Sequence, residues 1–167
     1  EEHRLRKASE LLKASSGDFV QKVEKLLATL KEHERENERL KMKLATLQVD
    51  ALVDQAREIN GVKVATAQIE NLDVKGLRNL ADVLKGKLQS GIIVLGTVNN
   101  GRVSLIAAVT RDIMNTYHAG QIIKEVAGIV GGSGGGRPDM AQAGGKNPEK
   151  LPEALNQVFQ IVRNCTT

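Results

Sequence analysis

Residues 131–145, GGSGGGRPDMAQAGG, hold the densest set of groups able to bind an anion in this chain. Gly131, Gly132, Gly134, Gly135, Gly136, Gly144 and Gly145 carry no side chain to block approach to their amides. Glycine also tolerates the positive backbone angles that turn successive amides toward one point. Arg137 adds a planar fork of donors suited to phosphate, and Lys146 adds a second positive charge. Pro138 stiffens the chain behind the arginine, while Met140, Ala141 and Ala143 offer packing contacts. A flexible linker is the alternative on composition. The position between two apolar-periodic helices favours an ordered, backbone-lined loop that recognises a polyanion. Gln142, Arg111, Tyr117 and His118 complete the candidate set; capping or packing at a helix start is the plainer role for His118.

Other chemistry finds no support. The segment is not a nucleoside-triphosphate loop, because Gly145-Lys146 is followed by Asn147 and not by Ser or Thr. It is not a dinucleotide fingerprint either, since it follows a helix and not a first strand. His3, His33 and His118 are scattered, and no HxxxH, HExxH or paired-cysteine spacing supplies a metal site. Cys165, the one cysteine, allows no internal disulfide and fits a reducing compartment. Asp73, Asp82, Asp112 and Asp139 lack metal-ligand spacing and read as solvated surface. No catalytic constellation is present, and the segment carries no metal or cofactor motif.

The charge balance is uneven. Residues 1–60 hold 12 basic and 12 acidic side chains, whereas residues 61–167 hold 12 basic and 8 acidic ones, so the net charge of +4 belongs to the second part. Such a balance suits RNA but does not require it. With Phe19, Tyr117 and Phe159 as the only aromatics, the composition argues against a surface that stacks many bases and, for an RNA partner, favours phosphate, sugar or shape recognition. No apolar run approaches the length of a membrane span, no signal-like stretch lies near the start, and a cytoplasmic location is expected. The charged beginning at Glu1-Glu2 reads as the middle of a longer protein.

These residues need elements to position them. A short amphipathic helix over residues 2–14 uses Leu5, Ala8, Leu11 and Leu12 and stops at Ser15-Ser16-Gly17, with Ser16 or Asp18 capping the next helix. From there Phe19, Val23, Leu26, Leu30, His33, Asn37, Leu40, Leu44, Leu47 and Ala51 recur as a heptad seam. The pattern predicts a helical arm over about residues 18–59, roughly 63 Å long at about 1.5 Å per residue, which must project from any compact domain. Its seam needs a partner, and self-pairing into an oligomer is one solution. Gly61 closes the arm, giving an arm over 1–60 and a globular domain over 61–167. That domain reads as an α/β fold with a mixed sheet, in the order β-α-β-β-α-α. Its elements are a strand over Val62 to Ile69, a helix over 73–88 and strands IIVLGTV and VSLIAAVT joined at Asn99-Asn100-Gly101. A helix over about 118–130 follows, and after the glycine segment a last helix is capped by Asn147 or begins near Leu151.

The block of Gly131, Gly132, Gly134, Gly135, Gly136, Arg137, Pro138, Ala141, Gly144 and Gly145 closely resembles the DHHA1 domain found at the C-terminus of alanyl-tRNA synthetases. The resemblance covers residues 61–165, and the helical arm matches the same organisation. DHH phosphoesterases share the domain, but the arm and the sequence after the glycines look more like the synthetase. The resemblance implies a non-catalytic module that binds tRNA(Ala), at its outer corner, and tethers it while other domains aminoacylate and edit. ATP, Mg and Zn would then belong to those other domains, with no cofactor here. A coiled-coil dimerisation module and the substrate-binding domain of a DHH phosphoesterase are the alternatives.

Overall fold

A computed structural model describes residues 2–13, 15 and 17–165, without the side chains of Glu2 and Leu5. Ser16, one of the two expected caps, lies outside the described residues. The chain divides into two compact units, Glu1–Leu40 and Lys41–Thr167.

The first unit is helical. α1 spans Glu2–Leu12 and α2 begins at Phe19. Asp18 accepts a hydrogen bond from the Ser15 hydroxyl at 2.6 Å, while its backbone carbonyl receives the Lys22 amide. Leu26, Leu30 and Leu40 along the seam are 49%, 55% and 46% exposed, so this stripe finds no cover within the described chain. Arg39 grips the Glu36 carboxylate through two bonds of 2.7 Å, which holds that carboxyl below its usual range.

The expected continuous helix to residue 59 is not what forms. α2 ends at Leu47, α3 spans Val49–Asp54, and residues Arg57–Ile59 are a strand, β1. The reason lies at Asn60-Gly61. Their φ values of +53° and +78° make a two-residue turn with both central residues left-handed, which joins β1 to β2, Val62–Gln68, as a hairpin. Ile59 is thereby carried into the core at 9% exposure. The seam also loses its phase: Leu44 and Leu47 stay 66% and 73% exposed, whereas Ala45 and Val49 are buried. The face that docks is thus rotated from the heptad stripe.

The rest of the second unit builds the sheet. α4, Val74–Leu88, is capped by Asp73, whose carboxylate accepts the Gly76 amide at 2.7 Å, and it links β2 to a parallel β3, Gly91–Asn99. Asn100 and Gly101, with φ of +50° and +72°, turn the chain into the antiparallel β4, Arg102–Val109. α5, Ala119–Ile129, follows a 3-10 turn at Arg111–Ile113, and α6, Leu151–Asn164, closes the chain. The glycine segment itself supplies β5, Ser133–Gly136, and β6, Met140–Gly145. The α/β class and the mixed sheet are as expected, with β1, β5 and β6 added to give the order β1-β2-β3-β4-β6-β5.

The sheet separates two apolar layers. Val64, Ile92, Val94, Leu105 and Ala107 face α5 and α6, while Ala65, Ile93, Leu95, Ile106 and Ala108 face α4 and the Ala45 to Val49 turn. Alternation along each buried strand fixes this division, because a slip of one residue would exchange the faces. Phe159 is half-buried beside the first layer. Ile59→Ala is expected to lower unfolding stability by about 2–4 kcal/mol in denaturant titration. A loss below about 0.5 kcal/mol would mean that residue 59 belongs to an exposed arm after all.

Candidate functional site

The glycine-rich segment is an ordered hairpin, neither a linker nor an open loop. It starts where α5 ends. The Gly131 amide bonds the Gly128 carbonyl at 3.2 Å and the Gly132 amide bonds the Ala127 carbonyl at 2.9 Å, a left-handed helix stop for which Gly131 has φ of +65°. β5 then pairs with β6 and β6 with β4, matching Gly135 to Gln142 and Gln142 to Ile106. The tip is fastened as well. The Ala119 amide donates to the Pro138 carbonyl and the Val109 amide to the Asp139 carbonyl, each at 3.0 Å.

The glycines divide by what a side chain would meet. A Cβ on Gly132 would lie 1.7 Å from the Gly144 carbonyl oxygen, and one on Gly145 would lie 2.4 Å from Val130. Gly134 and Gly136 are likewise closed by Ala143 and Ala141, and Gly131 by Asn147. These five shape the backbone. Gly135 meets nothing within 4 Å, and Gly144 has only the Val103 carbonyl at 3.6 Å. Those two, with Gln142 between them on the same sheet face, present bare backbone to the outside. The expectation that successive amides converge is therefore corrected: in a strand, alternate amides point the same way, and several loop amides are already taken internally. Lys146 and Asn147, for example, both donate their amides to the Val130 carbonyl. The Asn147 side chain makes no capping bond, and the last helix starts at Leu151 after a 3-10 turn at Pro148–Lys150.

Opposite the open hairpin face stands α4. Lys75, Arg78, Asp82 and Lys85 recur along one side of this helix, since steps of three and four residues return to the same face. Arg78 donates to the Gln142 side-chain oxygen Oε1 at 3.2 Å. Arg78, Asp82 and Lys85 from the helix and Gly135, Arg137 and Gln142 from the hairpin line a cleft of about 490 Å³. Beside it, Lys75 and Arg78 wall a second hollow. Lys85 is tied to Asp82 at 3.0 Å. Arg137 forks onto Asp139 at 3.1 and 3.2 Å, yet its side chain is 78% exposed, so this pair contributes little to stability and leaves the guanidinium within reach of an anion.

Four sequence candidates fall elsewhere. Tyr117 is 2% exposed, its ring lies in the core, and its hydroxyl has no hydrogen-bond partner among the described residues. His118 caps α5, its Nδ1 accepting the Gly120 amide at 3.0 Å. Arg111 and Lys146 are exposed but do not line the cleft. Beside Arg111, the Ser90 hydroxyl bonds Asp112 at 2.5 Å and holds that carboxyl below its usual range. Burial, with Glu125 nearby, pushes the Cys165 thiol up and keeps it protonated. Sequence reasoning missed Arg78 and Lys85, whose spacing looks like any solvated helix face until β6 is known to lie alongside.

Comparison with known proteins agrees with this architecture. The model of the DHHA1 domain matches residues 61–164. Curated relatives include the alanine–tRNA ligases of Carboxydothermus hydrogenoformans, 45% identical over 163 residues, and of Pelotomaculum thermopropionicum, 46% identical over 164. Each alignment covers 98% of this chain, which spans 19% of the relative's length. Among solved structures, the C-Ala domain of Aquifex aeolicus alanyl-tRNA synthetase is 28% identical with a TM-score of 0.62, covering 65% of this chain and 98% of that one.

The two kinds of glycine should separate in the test tube. Gly132→Ala is expected to cost about 2 kcal/mol or more, because its clash is with backbone that cannot step aside. Gly135→Ala should leave thermal and denaturant stability within about 0.5 kcal/mol. Equal losses at both positions would contradict the division.

Proposed function

Because this chain belongs to the DHHA1 domain family, we propose that it is the tRNA-binding and tethering module of an alanyl-tRNA synthetase and does no chemistry of its own. The similarity to alanine–tRNA ligases over 98% of the chain supports the parent enzyme. The observation that carries the binding role is the cleft between α4 and the hairpin. One side offers Arg78 and Lys85 with Asp82, the other Arg137 with Asp139, and beside them Gln142 and Gly135, above whose backbone no atom lies within 4 Å. That combination suits a phosphate backbone, which needs cations, amide donors and close approach more than base-specific pockets.

In this reading the ligand is tRNA(Ala), held at its outer corner. The module raises the effective concentration of the tRNA at distant sites and fixes its orientation there. ATP, magnesium and zinc belong to those other domains, and the site is cytoplasmic; no helix among the described residues is long and apolar enough to cross a membrane. Arg137 contacts RNA in this account, since its exposed pairing with Asp139 does not brace the fold.

A second reading, self-association through the arm, is favoured by the exposed Leu26, Leu30, Leu40, Leu44 and Leu47. The two roles are compatible. Light scattering over a range of protein concentrations should reveal a dimer that Leu30→Asp disperses; a monomer throughout would remove the second reading.

Labelled tRNA(Ala) titrated at several salt concentrations tests the first. Affinity should fall steeply with salt, and Arg78→Gln or Arg137→Gln should each flatten the log–log slope by about 0.7–0.9 while stability is unchanged. Salt-independent binding, or binding no tighter than to an unrelated acidic protein, would sink the proposal.

A further inference from the structure

On the other end of the sheet, at the β1 edge, lies a groove of about 550 Å³ that the cleft does not reach. Its lining mixes planar and amide groups. The Arg57 guanidinium lies 4.5 Å from the centre of the Phe159 ring, a stacked cation and aromatic. Gln55 and Gln68 approach from the β1 and β2 side and Asn156 from α6, with the buried Leu155 beneath. Arg57 is the one charged residue among those lining the groove. The other two aromatics are placed differently: Tyr117 is in the core and Phe19 is at the start of α2. Phe159 is therefore the only aromatic of the second unit with part of its ring outside the core.

A flat guanidinium backed by a ring is a stacking platform. Its outer face takes a second planar group without breaking the first pair, and its charge favours an electron-rich one. Gln and Asn each set a donor beside an acceptor, which is also the pattern along the edge of a nucleobase. A phosphate would find a single cation here and no cluster of amides. An apolar helix would leave the amides without partners. The volume lies within the range of about 300–1,000 Å³ usual for small planar ligands.

We propose that this groove takes one unpaired nucleobase of an RNA loop, stacked on the Arg57 and Phe159 pair and read along its edge by Gln55, Gln68 and Asn156. The inference rests on the reading that the partner is RNA, and it adds a second, base-reading contact to the phosphate-reading cleft. A single stacked base agrees with a chain so poor in aromatics.

The two contacts differ in salt dependence, which makes them separable. In titrations of the full chain with tRNA(Ala), Phe159→Leu and Arg57→Lys should each weaken binding by about 5- to 150-fold, the range for one stacked base. The salt slope should stay at the parent value, because neither change removes a charge. Arg57 is exposed, so Arg57→Lys carries the test even if Phe159→Leu lowers the unfolding midpoint. Affinities within about twofold of the parent for both variants would overturn the base site while leaving the cleft intact. A parent chain that fails to bind tRNA would overturn both. Loss of self-association with unchanged tRNA affinity would assign the groove to a protein partner and also overturn the proposal.

Discussion

The second unit depends on how closely the backbone of the glycine hairpin can approach α5. A Cβ on Gly120 would lie 2.7 Å from the Gly136 carbonyl oxygen, while Gly132 and Gly145 leave no room above Gly144 and Val130. Only glycine lets helix and hairpin meet at that distance. With the contact made, β6 reaches the edge of β4, and Ala141 is buried at 3% exposure under the sheet. Every glycine ordered in this way costs backbone entropy, which the pairing and the apolar cover of α5 offset.

The same contact decides where the site opens. Residues of the hairpin that face α5 are sealed, so Gly135, Gln142 and Gly144 are left on the α4 side of the sheet. α4 covers β3 and β4 with its apolar face, through Leu77, Leu80 and Leu84, and its polar flank therefore stands beside β6. Arg78 reaching Gln142 records that adjacency. The cleft is thus a consequence of sheet order: a helix that stops one strand short and a hairpin too lean in side chains to fill the gap.

How much of this was legible in the sequence varies with the physics involved. Local signals sufficed for α4, whose apolar period is self-contained, and for the Asn100-Gly101 turn between alternating strands, whereas Asp73, which reads as solvated surface, caps that helix. Asn60-Gly61 carries the same hairpin signal, but the heptad spacing runs up to it and predicts helix where β1 forms. The end of α2 at Leu47 has no glycine or proline to mark it; the break follows from burying Ala45 and Val49 in place of the seam. β5 and β6 were harder still. Glycine has low strand propensity, and these strands exist because β4 offers an edge and α5 a surface, which no local pattern records. The glycine block lies at the candidate cleft, yet most of its glycines shape the hairpin, and Arg78 and Lys85 join it only through three-dimensional proximity.

RNA along the hairpin face that looks toward α4 is what the proposed binding role requires. Amide chemical-shift mapping of the isotopically labelled chain during addition of tRNA(Ala) tests it residue by residue. The largest changes are expected at Gly135, Gln142 and Gly144 together with Arg78 and Lys85. Changes confined to the helical arm, or to the α5 side of the sheet, would contradict it.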